Sequence, residues 1–262
     1  MKVYLPSNGM MGISSIELRE PSLHDLRKVK DLNTDNHLRM TEFLSLITDK
    51  DQLNQITPFD RDYLFFLAVS SISLNTLNYS TTCPSCSKNF PLSISSSEME
   101  PIYLPTGVPR TVTKTIFNTP LTFTKISVEQ ETFIIENAIK APDDEYDDTY
   151  FDNLVSYTLY QDFDHISEVQ SLDIAVYYLA VFYHAFSPHG IHFSKQVQCP
   201  SCSHEFDLTF PIDASLLAIT PQQIMSVFTT LSGSLTLTEF YDLTIPELNL
   251  LITNLNMKRS QE

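Results

Sequence analysis

Residues 63–69 read YLFFLAV and residues 83–92 read CPSCSKNFPL; further on, residues 177–181 read YYLAV and residues 199–208 read CPSCSHEFDL. The two stretches follow one plan. Leu67-Ala68-Val69 recurs 112 residues later as Leu179-Ala180-Val181, whereas the cysteines recur after 116. The second copy therefore carries four extra residues between its apolar helix and its cysteines. After each second cysteine the apolar side chains alternate, at Phe90, Leu92 and Ile94 and again at Phe206, Leu208 and Phe210. A period of two marks a half-buried strand. Residues 77–81 and 191–197 supply candidate strands ahead of the cysteines, which puts each CPSC at the tip of a β-hairpin.

The repeat extends upstream. Residues 16–18 read as a strand, followed by a helix start with Ser22 as its N-cap; residues 121–123 are followed in the same way by Ser127, with Gln130 completing a capping box. Helical patterns follow near 41–48 and 150–160. Asp60 or Asp62 is the expected cap of the apolar helix before the first cysteine pair, and Ser171 or Asp173 of the one before the second. Pro101, Pro105, Gly107 and Pro109 make the connection between copies extended or turned. From Thr220 the pattern changes to short helices: one entered through Pro221, a second from Thr238, and a third opened by Ile245-Pro246-Glu247-Leu248. The predicted architecture is α+β, with two related strand–helices–hairpin halves joined by a split zinc ribbon, plus a helical tail. The expected boundaries are 1–100, 101–218 and 219–262.

Cys83, Cys86, Cys199 and Cys202 are the candidate metal ligands. Zinc takes four soft donors in a tetrahedron, and two Cys-x-x-Cys turns supply them. Pro84 and Pro200 pre-set the two turns, leaving local N–H groups free to stabilise thiolates. The 112 residues between Cys86 and Cys199 far exceed the gap in an ordinary zinc ribbon, and the repeat accounts for them because each half contributes one knuckle. Where zinc knuckles often place Gly after the second cysteine, this chain has Ser87 and Ser203, at a small cost in backbone strain. A redox CxxC would open a helix in a βαβ unit, but these pairs precede alternating strands. Structural disulfides or free buried thiols are the alternatives for these four residues. His192 and His204 flank the second pair, and the first copy has no histidine there, so both read as hairpin histidines.

Composition limits the function. The 262 residues carry 32 acidic and 16 basic side chains, a net charge of -16. Such a surface repels phosphates and anionic lipid and favours basic protein partners. Residues 1–20 lack the apolar core of a signal peptide, and the apolar stretches 63–69 and 174–186 are short for a membrane span. The expectation is a chain made in the cytoplasm, with reduced thiols. The acidic run at residues 143–148 lacks the spaced ligands of a calcium loop and reads as solvated. His184 and His189 near Asp173 offer an acid–base pair, but His184 and the stripe Tyr177, Tyr178, Phe182, Tyr183 and Phe186 fit a core helix better. The chain contains no G-x-S-x-G, Walker loop, HExxH or G-x-G-x-x-G. No enzyme is expected.

Asp60-Arg61-Asp62-Tyr63-Leu64 on a helix, followed by a cysteine-bearing hairpin, resembles the baseplate hub and hub-assembly proteins of contractile-tailed bacteriophages. The resemblance covers residues 13–95 best; the second copy, reading Ser171-Leu172-Asp173-Ile174-Ala175, follows it loosely. It implies a structural or assembly role in the virion tail baseplate, assembled in the host cytoplasm. The implied partners are other phage baseplate or tail proteins, without nucleic acid, with an oligomer inside the assembly as one form. It implies no catalytic residues. The competing class is a zinc-ribbon module of replication or transcription machinery, which would need basic residues at the knuckles, where only Lys88 and Lys195 stand. A thiol oxidoreductase is the third.

Overall fold

A computed structural model describes residues 1–30, 32, 34–72, 76–116, 119–142, 145–158, 189–191, 194–209, 212, 228–229, 235–244, 247–248 and 250–251. Ser171, Asp173, the aromatic stripe, His184, His192, Phe210 and the helix entry at Thr220-Pro221 lie outside them. Within them the chain is α+β, with helices and five separate two-stranded antiparallel sheets.

The first elements are β1 (Lys2–Tyr4), β2 (Ser15–Glu17), α1 (Leu23–Lys30), α2 (Asn36–Ile47), α3 (Lys50–Gln55) and α4 (Pro58–Ile72). Their starts are chemically marked. Ser22 caps α1: its hydroxyl accepts from the Asp25 N–H, and the Asp25 carboxylate accepts from the Ser22 N–H at 2.8 Å. Asp35 and Asp49 cap α2 and α3.

At α4 the structure corrects the expected cap. The helix begins at Pro58, so neither Asp60 nor Asp62 precedes it. Pro58 suits the first helical position because its missing N–H would have had no helical partner. Thr57 is the residue before the helix, and its hydroxyl accepts from the Asp60 N–H at 3.1 Å and donates to the Asp60 carboxylate at 2.9 Å. The same carboxylate accepts from the Ser7 N–H at 2.9 Å, tying the N-terminal loop to α4. Arg61, 1% exposed, bonds Asp62 at 2.7 Å, His37 of α2 and Glu131.

Because α4 is apolar on most of its surface, it is buried rather than laid on the outside. Leu64 and Phe65 are fully enclosed, and Phe65 meets Phe43 of α2 edge to face at 5.9 Å. Around them gather Val3, Leu5, Ile16, Leu23, Leu44 and Leu53, joined by Val128, Phe240 and Leu248 from far along the chain. Phe240 belongs to a short C-terminal helix, whose docking on the start of α1 is completed by a bridge between Ser22 and Thr244.

The first hairpin consists of β3 (Thr76–Thr82) and β4 (Asn89–Ser95), paired from Thr76 with Ser95 to Thr82 with Asn89. The proline-rich connection contains β5 (Pro101–Ile102) and then a hairpin that the sequence reading did not anticipate, β6 (Thr111–Ile116) with β7 (Thr119–Thr124). Its signal was present as a stretch in which every residue but Lys114 is β-branched, TVTKTI. The next helices are α5 (Val128–Lys140), opened by the predicted Ser127–Gln130 capping box, and α6 (Tyr146–Thr158). Asp147 and Asp148, expected in a loop, form the first turn of α6, where negative charge faces the positive end of the helix dipole.

The strand expected over residues 191–197 is split. β8 (Gly190–Ile191) pairs with β5, and β9 (Ser194–Gln198) pairs with β10 (Glu205–Thr209). Gly190 has φ +88°, and a Cβ there would meet the Phe59 carbonyl oxygen at 2.9 Å. The chain therefore passes tightly against the start of α4 before entering the second hairpin. A short helix, α7 (Leu237–Asp242), is capped by Thr236, two residues before the expected start at Thr238. Thr244 and Glu247 form a further capping box ahead of Leu248.

Lys125, 3% exposed, lies with its ammonium 4.5 Å from the Phe59 ring centre. Burial pulls its pKa down to about 8, against attraction from Asp60. Between that value and the ordinary 10.5, the unfolded chain holds a proton that the folded chain has released. Stability must rise with pH across this window. The expected gain between pH 7.5 and 10 is of order 2 kcal/mol by chemical denaturation. Lys125→Met should flatten that rise, and an equally steep curve in the variant would reject the assignment.

Candidate metal centre

The two CPSC segments fold alike because their flanking strands close at the same register. Thr82 opposes Asn89 and Gln198 opposes Glu205, leaving residues 83–88 and 199–204 to turn. In the first turn the Cys83 N–H donates to the Lys88 carbonyl and the Ser87 N–H to the Cys83 carbonyl; in the second the Cys199 N–H donates to His204 and the Ser203 N–H to Cys199. All four bonds are 2.9–3.0 Å. Ser87 and Ser203 have φ of +55° and +58°, as the missing glycine predicted.

A serine in that region carries a steric penalty of about 1 kcal/mol that glycine does not. Ser87→Gly and Ser203→Gly keep the N–H donor and are each expected to raise stability by about 0.5 kcal/mol, read as a higher denaturation midpoint. A loss of stability in both would show that the serine side chains have a role of their own.

The four sulfurs converge. All lie within 4.8 Å of one another, with Cys83 Sγ 3.6 Å from Cys202 Sγ and Cys86 Sγ 3.7 Å from Cys199 Sγ. A disulfide would need about 2.05 Å, so the four remain thiols. Cys83 and Cys199 are buried, Cys86 is half-buried and Cys202 is exposed. The cluster can hold a metal ion.

Its electrostatics favour a cation. Burial opposes ionisation of Cys199, but the N–H groups of Ser201 and Cys202 bring its thiol down to about 7. At Cys202 the His204 N–H favours the thiolate, yet burial and the sulfurs of Cys86, Cys199 and Cys83 together lift it to about 11. One thiolate forms readily and then discourages the next, so complete ionisation calls for a positive charge in the middle.

Two contacts outside the sulfurs also tie the second hairpin to the first and to the turn that follows it. Phe90 meets Phe206 edge to face at 6.4 Å, and the Lys195 ammonium lies 2.5 Å from the Glu98 carboxylate. Neither was anticipated, although Phe90 and Phe206 hold equivalent places in the two copies and could have been paired on that ground. His204 is exposed and stacks on Phe206 at 6.2 Å, outside the sulfur cluster. His189 is buried, with Nε2 3.2 Å from the Thr57 hydroxyl; His184 and Asp173, the other residues of the less favoured acid–base reading, lie outside the described residues.

Among the described residues no helix is long and apolar enough to cross a membrane. No family model, curated protein or solved structure matches the chain.

Proposed function

We propose that the chain is a non-enzymatic structural or assembly component of a bacteriophage tail baseplate hub, working through protein–protein contacts and stabilised by one zinc ion shared between two related halves. The observation that carries the structural part is the meeting of two CPSC turns across 112 residues of chain. In a tetrahedron with zinc–sulfur bonds of about 2.3 Å, neighbouring sulfurs are about 3.8 Å apart. The 3.6 and 3.7 Å contacts fit that edge closely. Four thiolates leave no open coordination position, so such a zinc holds structure and performs no catalysis.

The pairing of the sulfurs favours related halves. Exchanging the two copies turns the Cys83–Cys202 contact into Cys199–Cys86, and turns the Phe90–Phe206 contact into itself. A local two-fold relation between the hairpins has this consequence, as expected of duplicated units placed face to face.

The baseplate assignment rests on the resemblance of residues 13–95 and on charge. A net charge of -16 suits basic protein neighbours. Of the two lysines at the knuckles, Lys195 is engaged with Glu98, which leaves little for phosphate recognition. Filter binding with DNA and RNA at low salt is therefore expected to show no tight, salt-sensitive complex; such a complex would favour the replication or transcription module. In infected cells the chain should co-sediment with tail-hub intermediates or finished tails. Its absence from both would overturn the baseplate role while leaving the metal site untouched.

A further inference from the structure

We propose that the four cysteines are also an oxidative modification site, which a peroxide converts into two disulfides, Cys83–Cys202 and Cys86–Cys199, each joining one hairpin to the other. The inference rests on the four-thiolate site above, and it does not depend on which metal occupies it. Its basis is the arrangement of the sulfurs. The 3.6 and 3.7 Å approaches both run between hairpins, and neither lies within a CPSC turn. They are van der Waals contacts about 1.6 Å longer than a disulfide bond, so forming either bond requires the paired side chains to turn toward each other.

Each pair also combines one accessible sulfur with one sheltered sulfur. Cys202 is exposed and faces buried Cys83; Cys86 is half-buried and faces buried Cys199. Oxidation of thiols follows exposure and thiolate character, and a resolving thiol close by diverts the product to a disulfide. Cys202, the exposed sulfur and so the one peroxide reaches first, gives up its proton or its metal bond and attacks one peroxide oxygen; the O–O bond breaks, hydroxide leaves, and a sulfenic acid forms. The Cys83 thiolate then attacks that sulfur and expels a second hydroxide as the S–S bond forms. Two thiolates have lost two electrons and one peroxide has been reduced. Cys86 and Cys199 repeat the sequence with a second peroxide, and the metal ion leaves because no thiolate remains to hold it. The outcome is a covalent clamp in place of the metal one, so that oxidation preserves the junction between hairpins.

The test uses the full-length protein as purified, with its metal content measured first. Hydrogen peroxide is added in the presence of a chromogenic zinc chelator, and the product is digested with trypsin without reduction. Cleavage after Lys88 and Lys195 puts the two cysteine pairs on different peptides. The expected result is release of one metal ion per chain, consumption of about two peroxides per chain as the four thiols require, and a joined peptide. Fragmentation of that peptide should give Cys83–Cys202 and Cys86–Cys199. Separate peptides carrying disulfides inside each CPSC or sulfinic acids, or a joined peptide linking Cys83 to Cys199, would overturn the proposal. Protein that carries no metal before treatment would count against the zinc reading alone, and the disulfide map would still decide the pairing.

Discussion

If the proposed zinc is shared by the two hairpins, replacing Cys199 by serine is expected to abolish metal binding and to destabilise their junction by about 5 kcal/mol or more, because the binding free energy of a structural zinc is folding free energy. Cys83→Ser should behave the same way, although the two residues stand in different hairpins. Each variant leaves three thiolates, which bind zinc far more weakly than four. The apolar cluster around Phe43, Leu64 and Phe65 contains none of the cysteines. Loss of the metal should therefore loosen the hairpins first. Hydrogen exchange should rise across β3, β4, β9 and β10 in both variants, while amides of α2 and α4 keep their protection. Adding a strong chelator to the wild type should reproduce the same pattern. One zinc ion per chain in both variants would defeat the shared site, and a cooperative collapse of α2 and α4 would show that the metal supports the whole fold.

The parts of this arrangement that were legible in the sequence are those set by local chemistry. Ser22, Ser127 and the left-handed serines after each knuckle stand where residue type alone dictates the backbone. The alternation after Cys86 and Cys202 likewise fixed two strands and hence two hairpins. Tertiary competition decided what was misread. Two acidic residues compete in the sequence for the start of α4, but Thr57 and Pro58 begin it and Asp60 lies inside the first turn. Asp60 instead serves Thr57 and Ser7, and no local pattern reveals a partner more than fifty residues away. The pairing of Gly190–Ile191 with β5, beside Phe59, is another non-local approach. The meeting of the four sulfurs lies between these cases. Spacing proposed it, and the equivalence of the copies made it geometrically reasonable, but only the fold brings residues 83 and 202 together.

Arg61→Ala is expected to destabilise the protein by about 3–5 kcal/mol, as much as truncating a fully buried core aromatic. The guanidinium is 1% exposed and is held from three directions, by Asp62 in its own helix, by Glu131 of α5 and by His37 Nδ1 of α2 at 2.9 Å. Truncation leaves the Glu131 carboxylate, itself largely buried, facing an empty space with no positive charge. Lysine cannot repair this, because a single ammonium lacks the planar fork that reaches three partners at once. Arg61→Lys should therefore recover only a small part of the loss. The combination Arg61→Met with Glu131→Leu removes both charges together and should recover most of it, since an apolar pair of similar volume needs no compensation. Thermal and denaturant unfolding of the four proteins would separate these terms. If Arg61→Ala fell within about 0.5 kcal/mol of the wild type, as substitutions away from such networks do, the contacts would be incidental. The outcome bears on the resemblance as well. Asp60, Arg61, Tyr63 and Leu64 are all buried, so the segment that carries the proposed resemblance serves to lock α4 to its neighbours. A large loss in Arg61→Ala, with metal content unchanged, would make the motif a signature of fold and leave recognition of partners to other surfaces.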